Sequence, residues 1–318
     1  MPQTEHPCGV VFLDKPQGWT SRKAVNFVIR CFAKPQQKNR KQRPKAGHAG
    51  TLDPLATGML PILLGEATKF ASMGLNAEKC YEVSIDLSFQ TNTLDLEGEV
   101  LQRCATEHVD EDAIHAVLEQ FRGLQQQVPP AFSAIRVDGK RAHALARKGE
   151  EVILEAREIT IHKLEFLSFS GCILSLKVDC SKGTYIRSLA RDIGLALACG
   201  GCVTALRRVS SGGWAEAMMV SVAELEERKE ACMLPLPKWL RDLPTLRLDE
   251  AEAKRFVQGQ RVVLADEEMK AETSVLSCIL WQETMLGTGT LQAKTDSDHA
   301  KVLQPQRVLP SAQEIWNG

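Results

Sequence analysis

The sequence predicts an α+β fold: a mixed, mostly antiparallel sheet with flanking helices, followed by a small β-rich region at the C-terminal end. Strand-like and helix-like segments mix along the chain without a regular β-α-β repeat. Two long strands, at 159–169 and 172–180, are separated only by Ser170 and Gly171, a spacing typical of a hairpin. After residue 248, one helix is followed by short β segments.

The N-terminal part predicts a strand at 9–16, which Pro16 ends, and a helix at 21–33, which Thr20 or Ser21 caps. Apolar residues recur on one face of this helix, namely Ala24, Phe27, Val28 and Cys31. The remaining elements are predicted from alternating or helical spacing. Besides the hairpin, strands are expected at 59–64, 81–87, 132–137 and 203–209. Helices are expected at 66–74, 110–122, 140–148 and 184–199.

Prolines at positions 235, 237 and 244 predict a linker over residues 234–248. We therefore predict a first domain over residues 1–233, which includes a basic loop at 34–46. A C-terminal domain is predicted over residues 249–318, with a helix at 249–258 and short strands after it.

Composition excludes several classes of protein. The 318 residues carry a formal net charge of −1 and are 44% hydrophobic, which is typical of a globular chain with room for two domains. Nucleic-acid binding would therefore depend on local basic patches. The start of the chain has no secretory signal pattern, and no apolar stretch approaches the roughly 18 residues that span a bilayer. We expect a cytoplasmic protein without membrane segments.

The ten cysteines are scattered and predict small buried side chains rather than a disulfide framework. Cys199 and Cys202 have the spacing of a metal or redox pair. A single pair without a nearby histidine or second pair argues against zinc, so we expect no metal.

The basic loop at 34–46 contains no acidic residue. Loops of this composition are usually solvated, but contact with nucleic-acid phosphates is an equal alternative because a candidate site follows immediately. The basic side chains are Lys34, Lys38, Arg40, Lys41, Arg43 and Lys45.

That candidate site is the segment 47–58, Gly-His-Ala-Gly-Thr-Leu-Asp-Pro-Leu-Ala-Thr-Gly. Three glycines and a proline exclude a regular helix or a core strand, so a tight loop would present Asp53 at a fixed place. Three other segments have a similar character: 14–21 (Asp-Lys-Pro-Gln-Gly-Trp-Thr-Ser), Tyr81 on its strand, and 180–188, where Tyr185 and Arg187 lie in the first turn of a predicted helix.

These segments carry a resemblance to the bacterial tRNA pseudouridine-55 synthases, over residues 9–214 and more weakly beyond. The Asp53 loop is the most specific motif. It occurs with Asp-Lys-Pro-x-Gly-x-Thr-Ser before it, and with Gln-x-Pro-Pro-x-x-Ser-Ala (127–134), Lys-Gly-Thr-Tyr-Ile-Arg (182–187) and Leu-Arg-Arg (206–208) after it, in the order of that family.

The resemblance implies that the chain isomerises the uridine at position 55 of the tRNA T-loop, without cofactor, metal or obligate protein partner. Because the sequence contains no sustained heptad or repeat, we expect a monomer. Asp53 would be the nucleophile, Tyr81 the residue that stacks on the base, and Arg187 the partner of the aspartate. Supporting roles would fall to His48 on the T-loop, Tyr185 and Leu206 in the uridine pocket, and Lys15 and Lys182 beside it. The C-terminal domain would be a β-barrel-like, PUA-like RNA-binding domain.

The chemistry fits these residue types. Pseudouridine forms when the N–C glycosidic bond breaks and a C–C bond forms to the same base, so no atom is added. A carboxylate can add to the base or capture the sugar, and an Arg⁺ neighbour keeps it ionised. The target base must leave its stack, which predicts base flipping onto an aromatic face. The sequence leaves the intermediate open, as it does the range of RNAs and any tRNA-folding role.

The chain departs from the family at His143, where tyrosine is usual, and at Ser88 and Asn92, where glycine and aspartate are usual. Three alternatives stand beside this function. A non-catalytic RNA-folding module would retain the basic loop without the site. A glycoside hydrolase would need a second carboxylate beside Asp53. A phosphate-binding nucleotide enzyme would need a longer glycine-lysine motif than Lys182-Gly183-Thr184.

Overall fold

The computed structural model describes residues 7–34, 42–133, 135–137, 140–142, 145, 154–264, 274–293 and 301–317. The chain divides into two compact bodies. The larger consists of Val11–Leu64 and Thr68–Met233, and the smaller of the described parts of Met1–Val10, Gly65–Ala67 and Leu234–Gly318.

The larger body contains one mixed sheet and separate two-stranded ribbons. Its strands are β1 (Gly9–Lys15, from Val11 onward), β2 (Ala46–His48), β3 (Thr57–Leu64), β4 (Lys79–Asp86), β5 (Phe89–Thr91), β6 (Val100–Arg103), β7 (Gly123–Gln127), β8 (Arg136–Val137), β9 (Lys140–Arg141), β10 (Arg157–Ser170), β11 (Ile173–Cys180) and β12 (Cys202–Ser211). The main sheet runs β1-β3-β12-β4-β11-β10-β7, with β2 on β3, while β5-β6 and β8-β9 are separate ribbons. The β12–β3 pair is parallel, and the pairs of β4, β10 and β11 are antiparallel.

Helices flank this sheet. They are α1 (Ser21–Phe32), α2 (Ala71–Leu75), α3 (Glu111–Gln120), α4 (Ile186–Ala196) and α5 (Val222–Arg228), with 3₁₀ turns at Gly65–Phe70, Glu216–Met218 and Lys229–Cys232. Thr20 caps α1 by accepting from the amide of Lys23, and Asp110 caps α3 in the same way. The apolar faces of α1 and α4 pack with the sheet residues Leu60, Ile62, Val83 and Ile85 in one core.

The smaller body carries β13 (Leu234–Pro235), α6 (Leu236–Trp239), β14 (Thr245–Arg247), α7 (Glu250–Val257), β15 (Val262–Leu264), β16 (Val275–Trp281), β17 (Thr284–Ala293), β18 (Lys301–Val308) and α8 (Pro310–Asn317). Its five-stranded sheet has the order β14-β16-β17-β18-β15. The predicted fold class, an antiparallel-rich α+β domain followed by a small β domain, is confirmed. The domain boundaries at 233 and 249 stay a prediction.

Some elements differ from their predictions. The predicted helix at 66–74 begins as a 3₁₀ turn, Gly65–Phe70, and becomes α-helical only at Ala71. Residues 131–133 are bends rather than strand, and β9 occupies the start of the predicted helix at 140–148, most of which lies outside the described residues. Ribbon β5-β6 and strand β7 were not predicted, because their exposed, polar residues lack an apolar alternation.

All ten cysteines are free thiols, and Cys80, Cys180, Cys199, Cys202 and Cys278 are buried. Within the described ranges, no group of three or more His, Cys, Asp or Glu side chains has the arrangement of a metal site. None of the helices in the described part of the chain combines the length and the apolar character needed to cross a bilayer.

Candidate active site

A pocket of about 820 Å³ in the larger body brings together residues that the sequence singled out from distant segments. Among its lining residues are six of those predicted to act on the substrate: Asp53, Tyr81, Arg187, His48, Tyr185 and Leu206. They come from the loop before β3, from β2, β4 and β12, and from the start of α4. Lys15 and Lys182 are not among the lining residues.

The Asp53 loop is held through its backbone by the segment 14–21. Ser21 Oγ donates to the carbonyl of Leu52 and accepts from its amide, both at 2.8 Å. The amide of Gly18 donates to the carbonyl of Pro54 at 2.8 Å. Residues on both sides of Asp53 are therefore fixed by a second loop, which leaves the aspartate side chain as the presented group.

Lys15 also supports the Asp53 loop and the segment 14–21. Its Nζ donates to the carbonyls of Pro16 (3.1 Å), Trp19 (2.7 Å) and Pro54 (3.4 Å), and the residue is fully buried. Burial lowers the pKa of Lys15 to about 8, and the negative charge of Asp53 opposes that shift. Its contacts to three backbone carbonyls assign it a structural role beside the site.

A close approach of two strands fixes the far end of the loop. Gly58 has φ +94°, and a Cβ there would lie 2.3 Å from the carbonyl oxygen of Arg208. Gly58 and Arg208 are register partners in the parallel β3–β12 pair. Only glycine fits this position, because both the backbone conformation and the space exclude a side chain.

Arg187 lies between two carboxylates. Its Nε is 2.9 Å from Oδ2 of Asp53, an ion pair without the alignment of a hydrogen bond, and its Nη1 is 3.5 Å from Oδ2 of Asp95. Nη1 and Nη2 also donate to the carbonyls of Thr93 (2.8 Å) and Phe132 (3.1 Å). The side chains of Arg187 and Asp95 are 6% and 4% exposed, whereas that of Asp53 is 36% exposed. Asp53 is thus the carboxylate that a substrate can reach.

Sequence reasoning missed Asp95. Its carboxylate accepts from the hydroxyl of Thr93 at 2.5 Å and from the amide of Glu97 at 3.1 Å, so the turn after β5 holds it in place. The sequence feature that could have indicated Asp95 is the polar turn in which it follows two threonines. Such turns are common, and nothing in the residue pattern linked Asp95 to Arg187.

Arg208 is the second residue that the predicted set omitted, although the Leu-Arg-Arg motif contained it. It is 1% exposed, lines the pocket and lies opposite Tyr81 in the β12–β4 pair. Its Nε donates to the carbonyl of Met59 at 2.7 Å and its Nη2 to that of Gly50 at 3.2 Å. Its positive charge lowers the pKa of the Tyr81 phenol, against the effect of burial.

The pKa values of three ring side chains in the pocket are shifted toward the neutral form. Burial raises the pKa of the Tyr81 phenol, and Arg208 opposes the shift. Burial also lowers the pKa of His48, aided by the charges of Arg208 and Arg22, so His48 is neutral at physiological pH. Burial likewise raises the pKa of Tyr185. The pocket therefore offers neutral rings beside the partly exposed carboxylate of Asp53.

The remaining predicted residues lie outside the pocket lining. Lys182 is exposed and donates to Oδ1 of Asn76 at 3.2 Å. In the basic loop, Lys34, Arg43 and Lys45 are exposed, whereas Lys38, Arg40 and Lys41 lie outside the described residues, as does the family departure His143.

Comparison with known proteins finds relatives that match nearly the whole length of the chain. Residues 37–186 match the TruB family pseudouridylate synthase (N terminal domain), and residues 187–243 match the tRNA pseudouridylate synthase B C-terminal domain. The tRNA pseudouridine synthase B of Haemophilus influenzae (strain 86-028NP) is 44% identical over 310 residues, 95% of each chain. That of Dechloromonas aromatica (strain RCB) is 43% identical over 308 residues, 96% of each chain.

A solved Cbf5-Nop10-Gar1 complex shares the fold, with a TM-score of 0.66 and 24% identity, covering 94% of this chain and 84% of that one. The curated relatives match nearly end to end, and the two family regions adjoin at residue 186 within the site. The chain belongs to the TruB family of pseudouridylate synthases.

Proposed function

We propose that this chain converts uridine to pseudouridine at position 55 in the T-loop of tRNA, with Asp53 as the nucleophile and without a cofactor. The observation that carries this proposal is the half-exposed carboxylate of Asp53, paired with Arg187 at 2.9 Å in the wall of a pocket. A nucleophilic carboxylate must be reachable and held in a fixed orientation, and this geometry supports both conditions.

The reaction balances without an added group. The bond between N1 of uracil and C1′ of ribose breaks, the base turns, C5 bonds to C1′, and the proton lost from C5 is matched by one gained at N1. Asp53 stabilises the separated state by bonding to the base or to C1′, and the choice between these two intermediates is left open. Arg187 holds the carboxylate in a fixed orientation during both bond changes.

The pocket suits a single flipped nucleotide. A uridine within a folded T-loop must leave its stack to reach Asp53. We assign the stacking face to Tyr81, whose ring lies in the lining beside Leu206 and Tyr185. We assign final deprotonation at C5 to the Tyr81 oxygen, because the charge of Arg208 favours the ionised phenol that this step needs. Neutral His48 can donate and accept hydrogen bonds, which suits it to hold the opened T-loop.

Further contacts with tRNA are assigned by charge. The basic loop 34–46 and Lys182 would contact phosphates, giving affinity that falls with salt and does not depend on sequence. The C-terminal domain, 249–318 beyond the linker, would add RNA contacts of the PUA-like kind. Since tRNA is the substrate, we propose that the chain acts in the cytoplasm, as a monomer and without an obligate protein partner.

The test is tritium release from 5-tritiated uridine in an unmodified T-arm stem-loop, with wild type and Asp53→Asn compared. We expect release by wild type, loss of release in the variant, and none when the position-55 uridine is replaced. Release by Asp53→Asn at the wild-type rate would refute the nucleophile assignment. RNA binding without release by wild type would favour a non-catalytic RNA-folding module.

The structure bears on the glycoside hydrolase alternative. A second carboxylate, Asp95, does lie near Asp53, but Arg187 lies between the two, and Asp95 is 4% exposed and occupied by Thr93 and Glu97. A glycosidic acid/base must reach the leaving oxygen in its protonated form. Asp95 is therefore better suited to orient Arg187.

A further inference from the structure

Gln127, the last residue of β7, makes two hydrogen bonds to the backbone of Tyr185. Its Oε1 accepts from the Tyr185 amide at 2.8 Å, and its Nε2 donates to the Tyr185 carbonyl at 3.1 Å. The residue is 4% exposed. A buried amide that uses both of its functional ends on the N–H and C=O of one residue fixes the orientation of that backbone unit.

That unit is the start of α4. Tyr185 is the N-cap residue, with an extended backbone and a side chain that makes no capping hydrogen bond. Its carbonyl also accepts the first helical hydrogen bond, from the amide of Leu189 at 3.0 Å. The amide of Gln127 and the first turn of α4 thus meet on the same carbonyl oxygen, so the direction in which the helix begins depends on Gln127.

The first turn of α4 carries the catalytic geometry. Tyr185 lines the pocket, and Arg187, two residues later, reaches Asp53 and Asp95. The chain that follows Gln127 stays with this turn, since Ser188 Oγ donates to the carbonyl of Val128 at 2.9 Å. A change at Gln127 would therefore be transmitted to the guanidinium of Arg187 through the backbone of Tyr185 and the first turn of α4.

We propose that Gln127 is a positioning residue for pseudouridine formation: its side-chain amide orients the start of α4 and thereby places Tyr185 and Arg187 against Asp53 and the flipped base. The inference rests on the proposed function and deepens it. Gln127 is not among the residues that line the pocket, so it acts through Tyr185.

The first test replaces Gln127 with Met, which has a similar volume and removes both hydrogen bonds. The matched control is Gln125→Met on the same strand, because Gln125 Nε2 also donates to two backbone carbonyls, those of Gln120 (3.1 Å) and Arg122 (3.2 Å), outside α4. Single-turnover tritium release is measured at saturating T-arm stem-loop, together with stem-loop affinity and the thermal midpoint.

We expect Gln127→Met to lower the single-turnover rate by roughly 10- to 100-fold, the loss that accompanies misplacement of reacting groups by about 1 Å. Stem-loop affinity should change little, because phosphate contacts dominate it. Gln125→Met should retain the wild-type rate. A Gln127→Met enzyme that turns over as fast as Gln125→Met would overturn the inference.

Gln127→Glu supplies a readout that a purely structural role would not move. The glutamate keeps the acceptor for the Tyr185 amide. When ionised, it opposes the Tyr185 carbonyl, and when protonated, its O–H replaces the lost donor. Because burial raises the pKa of a carboxyl group, the ratio of the variant rate to the wild-type rate should rise as pH falls.

The other charged groups near this position are Arg157 and Glu158 on β10, Arg187 and Arg191 on α4, and Asp53. They are present in both enzymes, so their effect on the rate cancels in the ratio of variant to wild type. A ratio that does not change with pH would contradict the inference, even if Gln127→Met failed to fold. Absence of release by wild type would instead overturn the proposed function, and this inference with it.

Discussion

Tyr81 and Arg208 face each other as register partners on β4 and β12, and the positive charge of Arg208 opposes the rise that burial causes in the pKa of the Tyr81 phenol. Arg208 donates to the carbonyls of Met59 and Gly50, on the two sides of Asp53 along the chain. One buried cation therefore links Tyr81 to the Asp53 loop.

Arg208→Lys should impair both stability and turnover. An ammonium cannot reproduce the planar set of donors that reaches Met59 and Gly50, and each lost hydrogen bond of a charged group costs about 1.5–3 kcal/mol. We expect a lower free energy of unfolding in urea and a slower single-turnover rate. The control is Arg207→Lys, whose guanidinium pairs with Asp14 and Glu216 and does not line the pocket; an equal loss of rate there would refute this assignment.

Asp95→Asn should slow catalysis more than it weakens binding. The amide removes one of the two negative charges on Arg187, so the guanidinium is less firmly aimed at Asp53. We expect a rate loss of roughly tenfold or more, as follows when a positioned group shifts by a fraction of an ångström. Asp192→Asn, which contacts Arg191 at a more exposed site, is the control. Wild-type rates in Asp95→Asn would show that Asp53 alone suffices to hold Arg187.

Gly58→Ala should destabilise the protein far more than Gly171→Ala. Both glycines have positive φ, which costs an alanine about 1–2 kcal/mol. Only Gly58 adds a steric clash, since its Cβ would lie 2.3 Å from the Arg208 carbonyl oxygen, whereas a Cβ at Gly171 meets nothing within 4 Å. Urea denaturation of the two variants measures the difference. Equal unfolding free energies would mean that β3 and β12 can separate without cost.

The ammonium of Lys15 should make stability depend on pH in a definite direction. Its pKa in the folded protein is about 8, below the unfolded value of 10.5, so between these values the unfolded chain binds more protons. Its contribution to stability therefore rises as pH increases from 8 to 10.5. Lys79, also lowered to about 8 by burial, contributes in the same direction.

Comparison with Lys15→Met isolates Lys15 from Lys79. The wild-type free energy of unfolding, measured relative to that of the variant, should increase over this pH interval. A difference that is constant from pH 8 to 10.5 would contradict the shift assigned to Lys15.

The sequence was sufficient to predict structure where a residue pattern determines the conformation of its own segment. Glycines and a proline around Asp53 required a tight loop, and alternation with a short turn required the β10–β11 hairpin. Gathering Asp53, Tyr81 and Arg187 required the family resemblance, because no local pattern brings three segments together. The structure then shows these three side chains in one pocket.

Asp95 and Gln127 were missed as site residues for a related reason. Each acts through a partner about 60 or more residues away along the chain, Arg187 for Asp95 and Tyr185 for Gln127, and neither position has a distinctive periodicity. Strand β7 reads Gly-Leu-Gln-Gln-Gln, and its pairing with β10 is decided by backbone hydrogen bonds rather than by apolar side chains. Tertiary pairing of this kind overrides strand propensity.

Strand β12 lies between β3, which follows the Asp53 loop, and β4, which bears Tyr81. Adjacent strands are about 4.8 Å apart, so the strand that follows the Asp53 loop and the strand that bears Tyr81 are separated by roughly 10 Å. The distance between these two parts of the pocket wall is thus set by the backbone of the sheet. Attempts to engineer acceptance of a larger nucleobase should alter side chains at the rim, because this strand spacing cannot change without breaking the sheet.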